Sequence, residues 1–339
     1  RIVLASLYGL AKRDSLARAE YASVLAIDSA NLTALMSLSD FYNDRRDFRS
    51  LLAVNQRLFN LDEMPVEEKI KRFGIFTSDN RFYREYYLQV NTLASTLAIR
   101  YPKDPRIVEL YGRHLINSGE LEQALTLYKL HLTDTPPQET YYRWVIDIES
   151  YLQRPDSVDR YVSEALQLFP EQADFHIATG NIHSYAGRHD EAARVYRQSL
   201  RYADNDSLRG AIWGLVGDAH HQRAEAVLKA AKKSGTTETS RVRAAARKAM
   251  KSCYDAYERS LRYHGDNALV LNNYAYFLSL DGVQLDRALA MAQRAVELTG
   301  NNPTYLDTQA WVLFRSGRTA KAKKIMQQAI ALDGHASTE

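Results

Sequence analysis

Pro102, Pro136 and Pro170 stand 34 residues apart, and the chain between and beyond them repeats one pattern of two amphipathic helices with the same step. That period constrains the fold more than any composition does. A unit of this length cannot bury its own apolar face, so neighbours must stack and share a core, and the result is a solenoid. A solenoid leaves a long surface whose usual work is holding another molecule.

The repeat from 103 to 136 carries Val108, Tyr111 and Gly112 on its first helix and Ala124, Tyr128 and His131 on its second, with Gly119 at the turn. From 137 to 170 the matching set is Tyr142, Val145, Ile146, Val158, Val162 and Ala165, and from 171 to 204 it is Gly180, Gly187, Ala192 and Tyr196. At the carboxyl end, Leu271, Tyr274, Ala275, Ala288, Ala292 and Ala295 form one repeat, and Leu306, Ala310, Gly317, Ala322 and Ala329 the next. Ala5, Tyr8, Ala17 and Tyr21 fit an opening repeat short of its first residues, and Leu35, Leu38, Ser39 and Tyr42 begin another.

This alternation of large, small and aromatic positions resembles the tetratricopeptide-repeat family over nearly the whole chain. The resemblance implies an all-α, right-handed superhelical solenoid of about nine helical hairpins, one solenoid over 1–339. Its expected parts are amino-terminal repeats at 1–63, an irregular repeat at 64–102, three regular repeats at 103–204, a repeat with an extended hairpin at 205–265, and two last repeats at 266–334. It also implies a groove lined by first-helix positions. Carried over repeat by repeat, these are Glu109, Arg113, Arg143, Asp147, Ile177, Asn181, Asp218, Asn272, Tyr276, Trp311 and Phe314. Mixed in sign and partly aromatic, they suit a protein segment with a few anchors. Trp311 and Phe314 fit either a partner anchor or a face beneath a capping helix, and a terminal repeat's need to cover its apolar side favours the cap.

The period fails twice. Between Glu63 and Pro102 it runs 39 residues, with MPVEEKIKRFGIF expected as a first helix and DNRFYREYYLQVNTLASTLAIRYP as a second. The small residue due at position 20 falls on Gln89, so irregular packing is expected there. The second failure is larger: after Trp213, Val216, Gly217 and His220, the matching Cys253, Tyr257, Ser260 and Leu261 arrive some 24 residues late. The inserted AEAVLKAAKKSGTTETSRVRAAARKAMKS has two strongly helix-forming halves around SGTTETS. Split evenly, it lengthens each helix by about 12 residues, or roughly 18 Å. Ala226, Ala230, Ala245 and Ala249 are expected between the arms.

The net charge of +3 conceals an uneven distribution. Residues 222–252 hold nine basic side chains (Arg223, Lys229, Lys232, Lys233, Arg241, Arg243, Arg247, Lys248 and Lys251) against Glu225 and Glu238. That segment is +7 and the rest of the chain −4. The hairpin is thus a basic prong, either a solvated charged hairpin or a contact for an acidic protein. Nucleic acid is disfavoured, because no aromatic residue stands among the inserted basics to stack a base.

Enzyme chemistry finds no foothold. No GxSxG, GxGxxG or phosphate-binding glycine loop occurs, Cys253 is the single cysteine and sits in a core stripe, and no HExxH or HxxxH places histidines at metal spacing. His176, His183 and His220 are expected in the core. No cofactor is expected, no apolar run is long enough to span a membrane, and oligomeric state is open. The carboxyl-terminal pair is similar to the last repeats of bacterial envelope proteins, including periplasmic protease-chaperones and lipoprotein adaptors. That likeness implies a periplasmic or outer-membrane-associated adaptor, the cytoplasm being the alternative. The opening RIVLASLYGLAK reads as a helix interior, so a longer natural chain with a signal, lipid anchor or catalytic domain upstream is expected as the competing arrangement. The expected function is a non-enzymatic scaffold for a protein or peptide segment. The alternatives are the substrate-recruiting part of a larger enzyme and a binder of acidic protein or anionic polymer through the prong.

Overall fold

A computed structural model describes residues 1–233 and 240–333, and its described residues form nineteen α-helices and one short 3-10 helix, with no strand. The expected breaker at 234–239 and the tail from Gly334 lie outside the described residues. Packing divides the chain into two compact units, Arg1–Ile148 and Glu149–Glu339.

In the first unit, α1 (Ile2–Leu10) pairs with α2 (Asp14–Ile27), α3 (Leu32–Asp44) with α4 (Phe48–Phe59), and α8 (Pro105–Asn117) with α9 (Leu121–Leu130). Between them lie α5 (Val66–Ser78), α6 (Asn80–Glu85) and α7 (Tyr87–Arg100), and most of α10 (Glu139–Tyr151) follows. In the second unit, α11 (Pro155–Leu168) leads into the pairs α12 (Ala173–Tyr185) with α13 (His189–Ser199), and α14 (Asp206–Lys233) with α15 (Ser240–Tyr263). The pairs α16 (Ala268–Asp281) with α17 (Leu285–Leu298), and α18 (Pro303–Arg315) with α19 (Thr319–Asp333), complete it.

Several helices begin where the chain supplies a side-chain cap. The Asp104 carboxylate accepts from the backbone N–H of Arg106 at 3.0 Å, and Pro105 takes the first helical position. Asn302 and Pro303 repeat that arrangement at α18. Each side chain satisfies a donor that the first turn leaves orphaned, and proline there forfeits no hydrogen bond.

The turns inside the hairpins keep the 34-residue step in backbone geometry. Lys12 and Arg46 have φ of 56° and 55°, and Gly119, Gln153 and Gly187 have 83°, 56° and 73°. Where the residue is not glycine, its Cβ meets the following carbonyl, at a cost of roughly 1–2 kcal/mol. Arg46 is exposed. Arg46→Gly is therefore expected to stabilise the first unit by about 0.5–1 kcal/mol after the larger entropy of the unfolded glycine is set against the relieved strain. Chemical denaturation measures it, and a loss of stability would show that the arginine side chain does more than tolerate its turn.

Glycine matters differently at three close approaches. A Cβ built on Gly112, Gly180 or Gly217 would lie 2.2, 2.2 and 2.4 Å from the rings of Tyr128, Tyr196 and Tyr257 respectively. Each tyrosine is buried across the hairpin from its glycine. The expected small-against-aromatic register is thus realised in all three.

The segment 64–102 departs from expectation. DNRFYREYYLQVNTLASTLAIRYP does not form one helix: it breaks at Tyr86 (φ −110°) into α6 and α7. The break lets Phe82, packed edge-on against Phe48 at 5.0 Å, and Tyr83, whose O–H donates to His114 Nδ1 at 2.7 Å, point into the core together. Gln89 is exposed, and Val90, Leu93, Ala94 and Leu97 form the buried stripe instead.

The extended hairpin is present. α14 has 28 residues against 13 in α12, and α15 has 24 against 14 in α17. At 1.5 Å per residue the arms gain roughly 15–22 Å. Of the alanines expected between them, Ala249 is buried but Ala226, Ala230 and Ala245 are exposed, and Ala224, Ala231 and Ala246 are buried in their place. Both sets recur at helical spacing, and the direction of the register set by Gly217 and Tyr257 decides which faces inward.

Candidate partner-binding sites

In the first unit, Glu109 is half-buried and accepts from Trp144 Nε1 with both carboxylate oxygens at 3.2 Å. Arg113, Arg143 and Asp147 are exposed, and Arg143 pairs with Glu139 one turn earlier on α10. In the second unit, several of the expected groove residues serve the hairpin itself. Asn181 Oδ1 accepts from the Tyr196 hydroxyl at 2.7 Å, and Asp218 Oδ1 accepts from the Tyr257 hydroxyl at 2.5 Å and from Asn273 Nδ2 at 3.3 Å. The logic is local: in these two hairpins the residue after the close-approach glycine holds the hydroxyl of the ring that the glycine admits. Burial pushes the Asp218 carboxyl above its ordinary range, and the two donors oppose that shift. Ile177 packs on the core formed with α13 and α14, and Asn272 is buried.

Tyr276, Trp311 and Phe314 are arranged differently. Tyr276 and Trp311 each lie eight residues past the first residue of α16 and α18, which pack on one another. Tyr276 is 38% and Phe314 53% exposed, and the Trp311 and Phe314 rings lie 5.9 Å apart. Trp311 Nε1 is buried and has no hydrogen-bond partner among the described residues. These side chains make an aromatic face with an unspent donor, the composition of interface anchors.

The second site lies at the base of the long hairpin. Lys229, Lys232, Lys233, Arg241, Arg243, Arg247, Lys248 and Lys251 are all exposed. Where α14 and α15 pass the end of α16, a cleft of about 510 Å³ opens, floored by Ala224, Leu228, Met250, Tyr254, Phe277 and Leu280. Arg243, Arg247 and Lys251 stand along its α15 edge, and Glu225 and Asp281 on the other edges. The base is held by the His221 ring, stacked on Phe277 at 3.7 Å, and by the Tyr254 hydroxyl, which donates to Asp281 Oδ2 at 2.5 Å. Sequence reasoning found the charges and missed the floor. Leu228 and Met250 among the lysines and arginines were the available signal.

Burial pushes the Cys253 thiol well above its ordinary range, which removes the thiolate a nucleophile needs. Among the described residues no group of His, Cys, Asp and Glu is arranged to hold a metal ion. His176 stacks on Tyr202 at 4.5 Å, His183 Nδ1 accepts from Arg188 Nε at 2.9 Å, and burial lowers the pKa of His220. No helix among the described residues is long and apolar enough to cross a membrane.

No family model matches the sequence, and neither does any curated protein. Solved structures do match. A tetratricopeptide repeat protein from Parabacteroides merdae aligns over 80% of this chain and 94% of its own, with a TM-score of 0.53 at 10% identity. The Cut9–Hcn1 hetero-tetramer of the APC/C aligns over 95% of this chain and 57% of the other, with a TM-score of 0.53 at 13% identity.

Proposed function

With the tetratricopeptide-repeat fold as its frame, we propose that this chain is a non-catalytic scaffold that holds a protein segment on the first-helix faces of its carboxyl-terminal repeats. The observation that carries the reading is the aromatic face of Tyr276, Trp311 and Phe314, with its exposed rings and buried unpartnered Nε1 donor. A segment with an apolar side chain for the exposed Tyr276 and Phe314 rings suits it. Compartment belongs to this reading as well: the likeness of the carboxyl-terminal sequence to bacterial envelope adaptors supports an envelope complex, which fractionation of the native cells tests.

The binding test uses a displayed library of random peptides selected on the whole chain. Selected peptides are expected to lose about tenfold or more in affinity in Tyr276→Ala/Phe314→Ala, since anchors of this type dominate interface energy. Thermal stability should hold, because both rings are largely outside the core. Peptides that bind the double variant as tightly as the parent would remove this face from consideration.

A further inference from the structure

We propose that the cleft at the base of the long hairpin is a second docking site, for an acidic protein segment that seats one large apolar side chain between flanking carboxylates. It is separate from the aromatic face of α16 and α18, and either can fail without the other.

The apolar floor has a physical cost that a ligand would remove. Leu228 and Leu280 are 36% and 42% exposed although they line a concavity, so they stay wetted where a neighbouring helix pair would otherwise cover them. A volume of about 510 Å³ accepts one or two large side chains and lies within the range of built ligand sites. The hairpin arms hold the opening in place, because Ala224, Ala246 and Ala249 pack them closely and Met250 seals the seam.

The rim selects the charge. Arg243, Arg247 and Lys251 recur every four residues, so they form one row on one face of α15. Like charges in such a row repel, and Arg247 and Lys251 have no carboxylate partner among the described residues. The acids opposite are differently placed. Asp281 accepts the Tyr254 hydroxyl, and Glu225 lies 3.8 Å from His221. The field across the cleft is therefore positive along α15 and negative at its far edge. A polyphosphate or a lipid surface would meet Glu225 and Asp281 unfavourably, and neither would fill a recessed aliphatic floor. A peptide meets both edges, with carboxylates toward α15 and its apolar side chain below.

The experiment selects on the whole chain from two displayed libraries of about 12 residues. One carries a central Leu, Phe or Trp flanked by Asp and Glu, and the other has the same frame with Asn and Gln. Expected is enrichment from the acidic library alone, with affinity falling about tenfold or more as salt rises from about 50 to about 500 mM. Arg247→Glu/Lys251→Glu should lose that binding about tenfold or more. Leu228→Glu should lose it through the floor, and Phe314→Ala should retain it. All four positions are exposed, and circular dichroism melts confirm that each variant folds. Equal enrichment from the amide library, or acidic peptides indifferent to both the charge reversal and Leu228→Glu, would overturn the proposal. So would a single-stranded oligonucleotide or phosphatidylserine vesicles binding in place of the peptides and responding to the same charge reversal.

Discussion

Gly180→Leu is expected to lower the stability of the second unit by about 3 kcal/mol or more, the largest effect of any single substitution considered for this chain. A Cβ alone at that position would sit 2.2 Å from Tyr196 Cε1 and 2.4 Å from its Cδ1, well inside van der Waals contact. The ring has little room to retreat, being buried and tethered through its hydroxyl to Asn181. Relieving the clash means separating α12 from α13, which also opens the contact of α13 with α14. Gly180→Ala separates sterics from propensity: alanine favours helix by about 1 kcal/mol over glycine, so a net loss would measure the overlap. The double change Gly180→Ala/Tyr196→Leu should recover much of that loss. Thermal and urea melts read both, and an unchanged midpoint for Gly180→Leu would mean that the helices do not approach as closely as described.

The second large effect is a loss of stability in mild acid centred on His114. Its ring is buried between Tyr87 and Tyr111, with stacked centroids 5.9 and 6.2 Å away, and the edge of Phe73 faces it at 6.1 Å. The neutral imidazole fits its partners completely: Nδ1 accepts from the Tyr83 hydroxyl at 2.7 Å and Nε2–H donates to Asn91 Oδ1 at 2.9 Å. Burial lowers its pKa from 6.5 to about 4. Between those values the unfolded chain binds a proton that the folded state refuses, so stability falls as pH drops through 6.5 toward 4 and levels off below. The full span is worth about 3 kcal/mol, and the interval from pH 7 to pH 5 about 2 kcal/mol. His114→Gln should melt lower at pH 7 and lose most of that pH dependence. His220 and His221 in the second unit shift in the same direction and supply a remaining slope. A parent protein equally stable at pH 7 and pH 5 would contradict the burial of the ring.

How much of this was legible in the sequence depends on how local each feature is. The 34-residue step, the facing of Gly180 on Tyr196 and of Gly217 on Tyr257, and the lengthened hairpin all follow from spacing along one or two helices. The break at Tyr86 was not legible, because DNRFYREYY has nothing that ends a helix. The core takes Phe82 and Tyr83 inward against Phe48 and His114, and that tertiary demand outweighs a continuous backbone. The choice between the two alanine faces of α14 and α15 was equally hidden, since both have the same composition. The expected groove residues Asn181 and Asp218 turned out to hold tyrosine hydroxyls, a duty visible only once the second helix lies opposite. The cleft needed three helices to meet before its floor existed at all.

The hairpin has a consequence for how a chain like this can change length. α14 runs unbroken from Asp206 to Lys233, so its outer half inherits the angle and rotation of the half packed in the repeat. Ala224 and Ala231, seven residues and two turns apart, are both buried, and Ala246 and Ala249 of α15 pack with Ala224. Residues removed from one arm alone would rotate its alanines out of the seam and leave the other arm's unmatched. Two turns added to the outer ends of both arms would lengthen the mast and leave the cleft as it is, whereas two turns removed from both would take Leu228 from α14 and Arg243 from α15 and cut into the cleft lining. Reach is thus extended in paired two-turn steps while the binding chemistry of the cleft stays where it is, and the cleft itself sets the shortest hairpin that keeps it.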